Sequence, residues 1–133
     1  MNKLVGKIDS IRTSGNLSIA EILVNLDIMK AVLIETPATA PFLKKGETIN
    51  VIFKETEVSI AKNFSGKISL QNKLNCRILS IENGELLSKV SLDYKGNKLI
   101  SIITQFAVKD MDLKPGDEVV ALIKTNEVIL SQE

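Results

Sequence analysis

Apolar and polar positions alternate along much of the chain. From Leu4 to Ile11 they place Leu4, Gly6, Ile8 and Ser10 on one face. Leu17 to Leu26 is rich in Ile, Leu and Val, and Lys30 to Glu35 is a compact apolar run. Thr48 to Lys54 sets Ile49, Val51 and Phe53 against Thr48, Asn50, Ile52 and Lys54, and Val58 to Ala61 makes a short closing strand. A second series follows: Lys73–Ile81, Leu87–Asp93, Lys98–Thr104, Glu118–Lys124 and Val128–Leu130. Period-2 patterning and β-branched residues predict strands throughout. Tyr94-Lys95-Gly96-Asn97 reads as a hairpin turn with Gly where a positive φ is needed, and Lys114-Pro115-Gly116-Asp117 as a second turn. The spacing of Phe106, Val108, Met111 and Leu113 predicts one short helix. In the matching stretch of the first series, Pro37 and Pro41 make a helix shorter or absent.

The two series are copies. Asn2-Lys3-Leu4-Val5-Gly6-Lys7-Ile8-Asp9-Ser10-Ile11 reappears as Asn72-Lys73-Leu74-Asn75-Cys76-Arg77-Ile78-Leu79-Ser80-Ile81, a shift of 70. The same shift aligns Leu43-Lys44-Lys45-Gly46-Glu47 with Leu113-Lys114-Pro115-Gly116-Asp117, and Lys54-Glu55-Thr56-Glu57-Val58 with Lys124-Thr125-Asn126-Glu127-Val128. Matches at both ends and in the middle of one period mark a duplicated unit. The polar, Gly-containing stretch Lys62–Lys67 is the natural joint, so the expected units are 1–63 and 64–133. Five short strands with at most one short helix predict an all-β fold, two tandem five-stranded barrels of the oligonucleotide/oligosaccharide-binding kind. One such unit is marginal alone, and duplication supplies the missing burial.

Composition narrows the chemistry. The 133 residues are 44% hydrophobic and 25% charged, which suits a globular domain rather than a disordered one. The absence of His removes the commonest general base and most zinc sites. A single cysteine, Cys76, excludes an intramolecular disulfide and a four-Cys metal site. Carboxylates are scattered, without a convincing acid–base pair, so the expected protein is not an enzyme. No apolar stretch approaches the roughly 20 residues that span a bilayer, and Met1-Asn2-Lys3 leads directly into the first strand. The expectation is a cytoplasmic protein with no membrane partner. A net charge of +1 and 4% aromatic residues argue against a nucleic-acid groove, which needs basic and stacking side chains.

The order of motifs then carries a resemblance. Ser69-Leu70-Gln71-Asn72-Lys73-Leu74, Leu99-Ile100-Ser101-Ile102-Ile103-Thr104, and Leu113-Lys114-Pro115-Gly116-Asp117-Glu118-Val119-Val120-Ala121-Leu122-Ile123-Lys124-Thr125 together resemble the molybdate-binding Mop domain of the TOBE type. Two units in tandem resemble the di-domain molbindins. The resemblance implies a cytoplasmic binder of molybdate, and often tungstate, that stores or buffers the oxyanion without chemistry on it. It implies no cofactor, and no metal other than that within the oxyanion. It also implies a homo-oligomer with sites between subunits, a trimer first and a dimer second. Ser69 would be the hydroxyl of the opening motif, followed by Gln71 in place of the family's Arg, and by Asn72. Lys124 would be the charged donor, with Thr125 beside it, and Thr104 of a neighbouring unit would close the site. Thr36 and Lys54 are the weaker first-unit candidates. Molybdate is a fully deprotonated dianion at neutral pH and needs donors only, which Ser, Thr, Lys and backbone N–H groups supply.

Residue type alone supports blander roles. Lys124 is then a solvated lysine at a strand end, Thr104 and Thr125 are strand residues, Ser69 is a loop hydroxyl, and Cys76 is a small buried residue. The second functional reading is a molybdate-sensing effector module of a transcription regulator or importer ATPase. The copies also differ: Lys54 is followed by Glu55 where Lys124 is followed by Thr125. Ile34 stands at the place of Thr104, with Thr36 two residues on, and the counterpart of Ser69 would precede Met1. A carboxylate beside a dianion is repulsive and offers no donor. The expectation is one good site per chain.

Overall fold

The computed structural model describes residues 1–132. Its elements are β1 (Asn2–Ser14), β2 (Leu17–Val24), β3 (Asp27–Leu33), β4 (Thr48–Phe53), β5 (Ser59–Ala61), β6 (Asn72–Asn83), β7 (Leu87–Tyr94), β8 (Asn97–Thr104), α1 (Gln105–Asp110), β9 (Glu118–Ile123) and β10 (Ile129–Ser131). Short 3-10 turns at Glu55–Glu57 and Thr125–Glu127 follow β4 and β9. The fold is all-β, with two five-stranded sheets and one short helix, as the pattern predicts.

The repeat holds in the hydrogen-bond register. Ile8 pairs with Ile22 as Ile78 pairs with Leu92, and Asn2 pairs with Phe53 as Asn72 pairs with Ile123. Both long strands carry an irregularity at the same place, between Ile8 and Ser10 and between Ile78 and Ser80. An extra residue there bends the strand and turns the following side chains. Ser10, expected on the inward face with Leu4 and Ile8, is only half-buried, and its hydroxyl donates to Glu21 at 2.7 Å. The first hairpin is shorter than the pattern suggests. The run Leu17–Leu26 ends at Val24, and Asn25 turns the chain with φ of 55°. Leu26, 90% exposed, sits at the tip. Its apolar side chain reads as strand continuation in the sequence, but its position is that of a turn.

One finding departs from a simple tandem. The closing strands are exchanged: β5 pairs with β9, and β10 pairs with β4, giving sheets β10-β4-β1-β2-β3 and β5-β9-β6-β7-β8. Each closing strand was expected to finish its own unit. Ser59-Ile60-Ala61 and Ile129-Leu130-Ser131 are equally short and apolar, so nothing in their patterning distinguishes the two partners.

The exchange draws the halves into one core. A continuous buried cluster includes Leu4, Ile22, Val51 and Phe53 from the first half and Leu74, Leu92, Tyr94 and Ile123 from the second. The phenol of Tyr94 is buried and donates to Asp27 Oδ2 at 2.5 Å, where Lys95 Nζ also pairs at 3.2 Å. Burial first, then the Asp27 carboxylate, raises the Tyr94 pKa above its ordinary value. Beyond β5, Lys62 donates to the carbonyls of Asp112 at 2.7 Å and Met111 at 3.2 Å and pairs with Asp117 at 3.0 Å. That lysine ties the exchanged strand to the second sheet.

Two asparagines make reciprocal cross-links between the halves. Asn72 Nδ2 donates to the Lys30 carbonyl at 2.9 Å and its Oδ1 accepts from the Lys30 N–H at 2.7 Å. Asn2 does the same with the carbonyl and N–H of Ile100, both at 2.8 Å. A primary amide offers one donor and one acceptor side by side, as a peptide unit does. Each asparagine therefore extends the ladder from one half onto the edge strand of the other.

Candidate functional site

Exchange of the closing strands decides which candidate residues meet. The 3-10 turn at Thr125–Glu127 packs against β3, from the first half, and the turn at Glu55–Glu57 packs against β8, from the second. Each turn covers an edge strand of the opposite sheet. Lys124 is thus brought to the strand whose continuation carries Thr36, and Lys54 to the strand that ends on Thr104.

At the second turn, Lys124 is exposed and its carbonyl accepts from the Glu127 N–H at 3.0 Å, while Thr125 is half-buried. The ladder between β6 and β9 ends with Asn72 opposite Ile123. One residue further, Gln71 stands across from Lys124, and both are exposed. Ser69, also exposed, lies two residues upstream of Gln71 in the chain. Gln71, Lys124 and the half-buried Thr125 thus adjoin the end of this ladder. Asn72, next to Gln71, is fully buried, and its amide is committed to Lys30.

The threonines are placed differently. Thr104 is the N-cap of α1, and its hydroxyl accepts from the Ala107 N–H at 3.1 Å. It pairs with Leu87, at the hairpin end of the second sheet and away from the Asn72 end where Lys124 lies. One chain does not bring Thr104 and Lys124 together. Thr36 opens a turn: its hydroxyl accepts from Ala38 N–H at 3.2 Å, and its N–H donates to Thr39 Oγ1 at 2.9 Å. No helix forms there, where Pro37 and Pro41 stand.

At the first turn, Lys54 is exposed, and the next residue changes the electrostatics. The Glu55 carboxylate lies 3.0 Å from the Met1 ammonium. Its pKa is lowered first by a hydrogen bond from its own backbone N–H and then by that ammonium, with Lys89 adding attraction. A cleft of about 560 Å³ lies elsewhere, lined by Asn63, Phe64, Arg77, Asp93, Lys95 and Glu118 among others, and none of the candidate residues lines it. Cys76 lies at its base, with a thiol pushed up to about 12 by burial and so held protonated. Among the described residues, no group of His, Cys, Asp or Glu could hold a metal ion, and no helix is long and apolar enough to cross a membrane.

Residues 68–130 match the TOBE domain family. A probable molybdenum-pterin-binding protein of Haemophilus influenzae is 40% identical over 68 residues, covering 50% of this chain and 99% of that protein. The chain belongs to the Mop family of TOBE-domain proteins. The molybdenum-pterin-binding protein MopB of Rhodobacter capsulatus is 31% identical over 105 residues, 77% of this chain and 39% of that protein. The molybdenum import ATP-binding protein ModC of Brucella abortus (strain 2308) is 36% identical over 87 residues. This Mop chain covers only 24% of that ATP-binding protein's length. Among solved structures, the cytoplasmic molybdate-binding protein ModG superposes with a TM-score of 0.92 at 27% identity, over 99% of this chain and 96% of that one. The likeness spans both halves, so the tandem Mop architecture is shared along the whole chain.

Reading the sequence missed three features of this Mop chain. The reciprocal bonding of Asn2 and Asn72 was signalled by the Asn-Lys-Leu repeat, since both copies keep an amide before the first strand's apolar face. The ion pair of Glu55 joins positions far apart in the chain and left no local signal. The exchange of closing strands left none either.

Proposed function

We propose that this chain binds molybdate, with tungstate as a second ligand, and performs no chemistry on it. The observation that carries the reading is the full-length likeness to a tandem molybdate-binding protein, and Ser69, Gln71, Lys124 and Thr125 add groups that can donate to an oxyanion. Hydroxyl, amide and ammonium groups suit an anion with no proton to give. Charge-assisted hydrogen bonds contribute about 1.5–3 kcal/mol each, and micromolar binding needs about 8 kcal/mol net. A few such bonds, less the costs of desolvation and ordering, reach that range.

Ser69, Gln71 and Lys124 are exposed within one chain. A second copy completes the site, supplying Thr104 or Thr36 from the facing unit, so the assembly is a homo-oligomer, a trimer before a dimer. Closed cyclic symmetry then repeats each site identically. The role is storage or buffering of the oxyanion in the cytoplasm. Calorimetric titration with molybdate, tungstate and sulfate tests the reading. Heat with the first two and none with sulfate is the expected result, and no heat with any of them defeats it. Light scattering that reports a 14.6 kDa monomer with and without molybdate defeats the assembly.

A further inference from the structure

The two 3-10 turns share a backbone. Lys54 and Lys124 precede them with φ/ψ of −72°/148° and −69°/143°, and each lysine carbonyl accepts a 3.0 Å bond from the glutamate that closes its turn. The side chain of the first turn residue differs. At Thr125 it is a neutral hydroxyl. At Glu55 it is a carboxylate that accepts from its own N–H and pairs with the Met1 ammonium at 3.0 Å. The surroundings differ in the matching sense. Lys89, which attracts Glu55, has Ile19 as its counterpart in the repeat, and Met1 has Gln71. The first turn is thus richer in cations than the second and carries its own anion among them.

We infer that the Glu55 side chain is an internal anion that closes the first turn to external oxyanions, leaving one binding site per chain, at the second turn, and a latent site beneath Glu55. This rests on the proposed binding of molybdate. A dianion approaching Lys54 meets the carboxylate of the next residue, already paired with the Met1 ammonium, and like charges at such distances repel. With that carboxylate removed, the Met1 ammonium loses its paired anion in the neighbourhood of Lys54 and Lys89, an arrangement that attracts an external anion.

The test is calorimetric titration of the full chain with molybdate at neutral pH, comparing wild type, Glu55→Thr and Glu55→Gln, with circular dichroism to verify folding. Glu55→Gln keeps the shape of the side chain and removes only the charge. Wild type is expected to bind one molybdate per chain, and each variant two. Glu55→Thr combined with Lys124→Ala is expected to keep one. Two sites per chain in wild type, or one in both folded Glu55 variants, overturns the inference. If wild type binds nothing while Glu55→Thr binds one per chain, the second-turn reading fails and the internal anion stands. If no form binds, both fall.

Discussion

The turns after β4 and β9 have the same backbone, the same leading lysine and the same closing glutamate, and differ in the two residues between, Glu55-Thr56 against Thr125-Asn126. At Glu55–Glu57 the protein supplies a carboxylate and fixes it in an ion pair, whereas at Thr125–Glu127 it supplies a hydroxyl and leaves the lysine facing outward. The lesson is that duplication copies a scaffold faithfully while the side chains it carries diverge, here to a paired carboxylate in one copy and a hydroxyl in the other. The asparagines that anchor both turns show the other half of that lesson. Asn2 and Asn72 make the same reciprocal bonds, because both edges must be covered whatever each turn does.

Asn72→Ala breaks the comparison most severely. It strips both partners from the Lys30 backbone at a fully buried position, and losing two such bonds costs about 2–4 kcal/mol. Urea unfolding should show that loss, and a similar loss for Asn2→Ala. Only Asn72→Ala should also weaken molybdate binding, since it alone underlies the second turn. Equal loss of binding in both variants would sink the distinction.

Lys124→Ala should weaken binding by roughly 1.5–3 kcal/mol, the range for a hydrogen bond to a charged group. Lys54→Ala should leave affinity unchanged, and both should fold normally. Calorimetry on the pair decides it, and matching effects would mean that the two turns are equivalent after all.

Gly6 and Cys76 occupy the same place in the two halves, yet a Cβ on Gly6 would lie 2.6 Å from the Leu23 carbonyl oxygen. Gly6→Ala should therefore cost about 2 kcal/mol through forced backbone movement. Cys76→Ala should cost less, and a thermal melt ranks the two. Tyr94→Phe removes the bond to Asp27, for which the first half has only Val24 in the matching position, and should cost about 1 kcal/mol in the same assay.

The smallest effect is a pH dependence. Glu55 has a folded pKa below its ordinary value, so its contribution is present above the unfolded carboxylate pKa and is lost as pH falls through the folded one. The stability difference between wild type and Glu55→Gln should shrink on acidification from pH 7 toward pH 3, approximately, on the acid side of the ordinary carboxylate range. A difference that stays constant would show that the ion pair contributes nothing to folding.

Much of this protein is legible in the sequence because its determinants are local. Alternation such as Leu4, Gly6 and Ile8 fixes which face of a strand is buried, and Tyr94-Lys95-Gly96-Asn97 fixes a tight turn through the positive φ of Lys95 and Gly96. Pro37 and Pro41 keep a helix out of the first half where Thr104 caps one in the second. The repeat determines the register of both sheets, since strands of matching pattern pair in the same way. What the sequence leaves open is every choice between equivalent partners. Either closing strand satisfies either sheet, so only packing around the shared core decides that β5 joins β9 and β10 joins β4. That choice sets Lys124 against β3 and Lys54 against β8, and it places Thr104 at the far end of the second sheet from Lys124. Pairs between the halves such as Asn72 with Lys30 and Asn2 with Ile100 exist only once those edges meet, because hydrogen bonds act over a few ångströms and the chain positions they join are far apart.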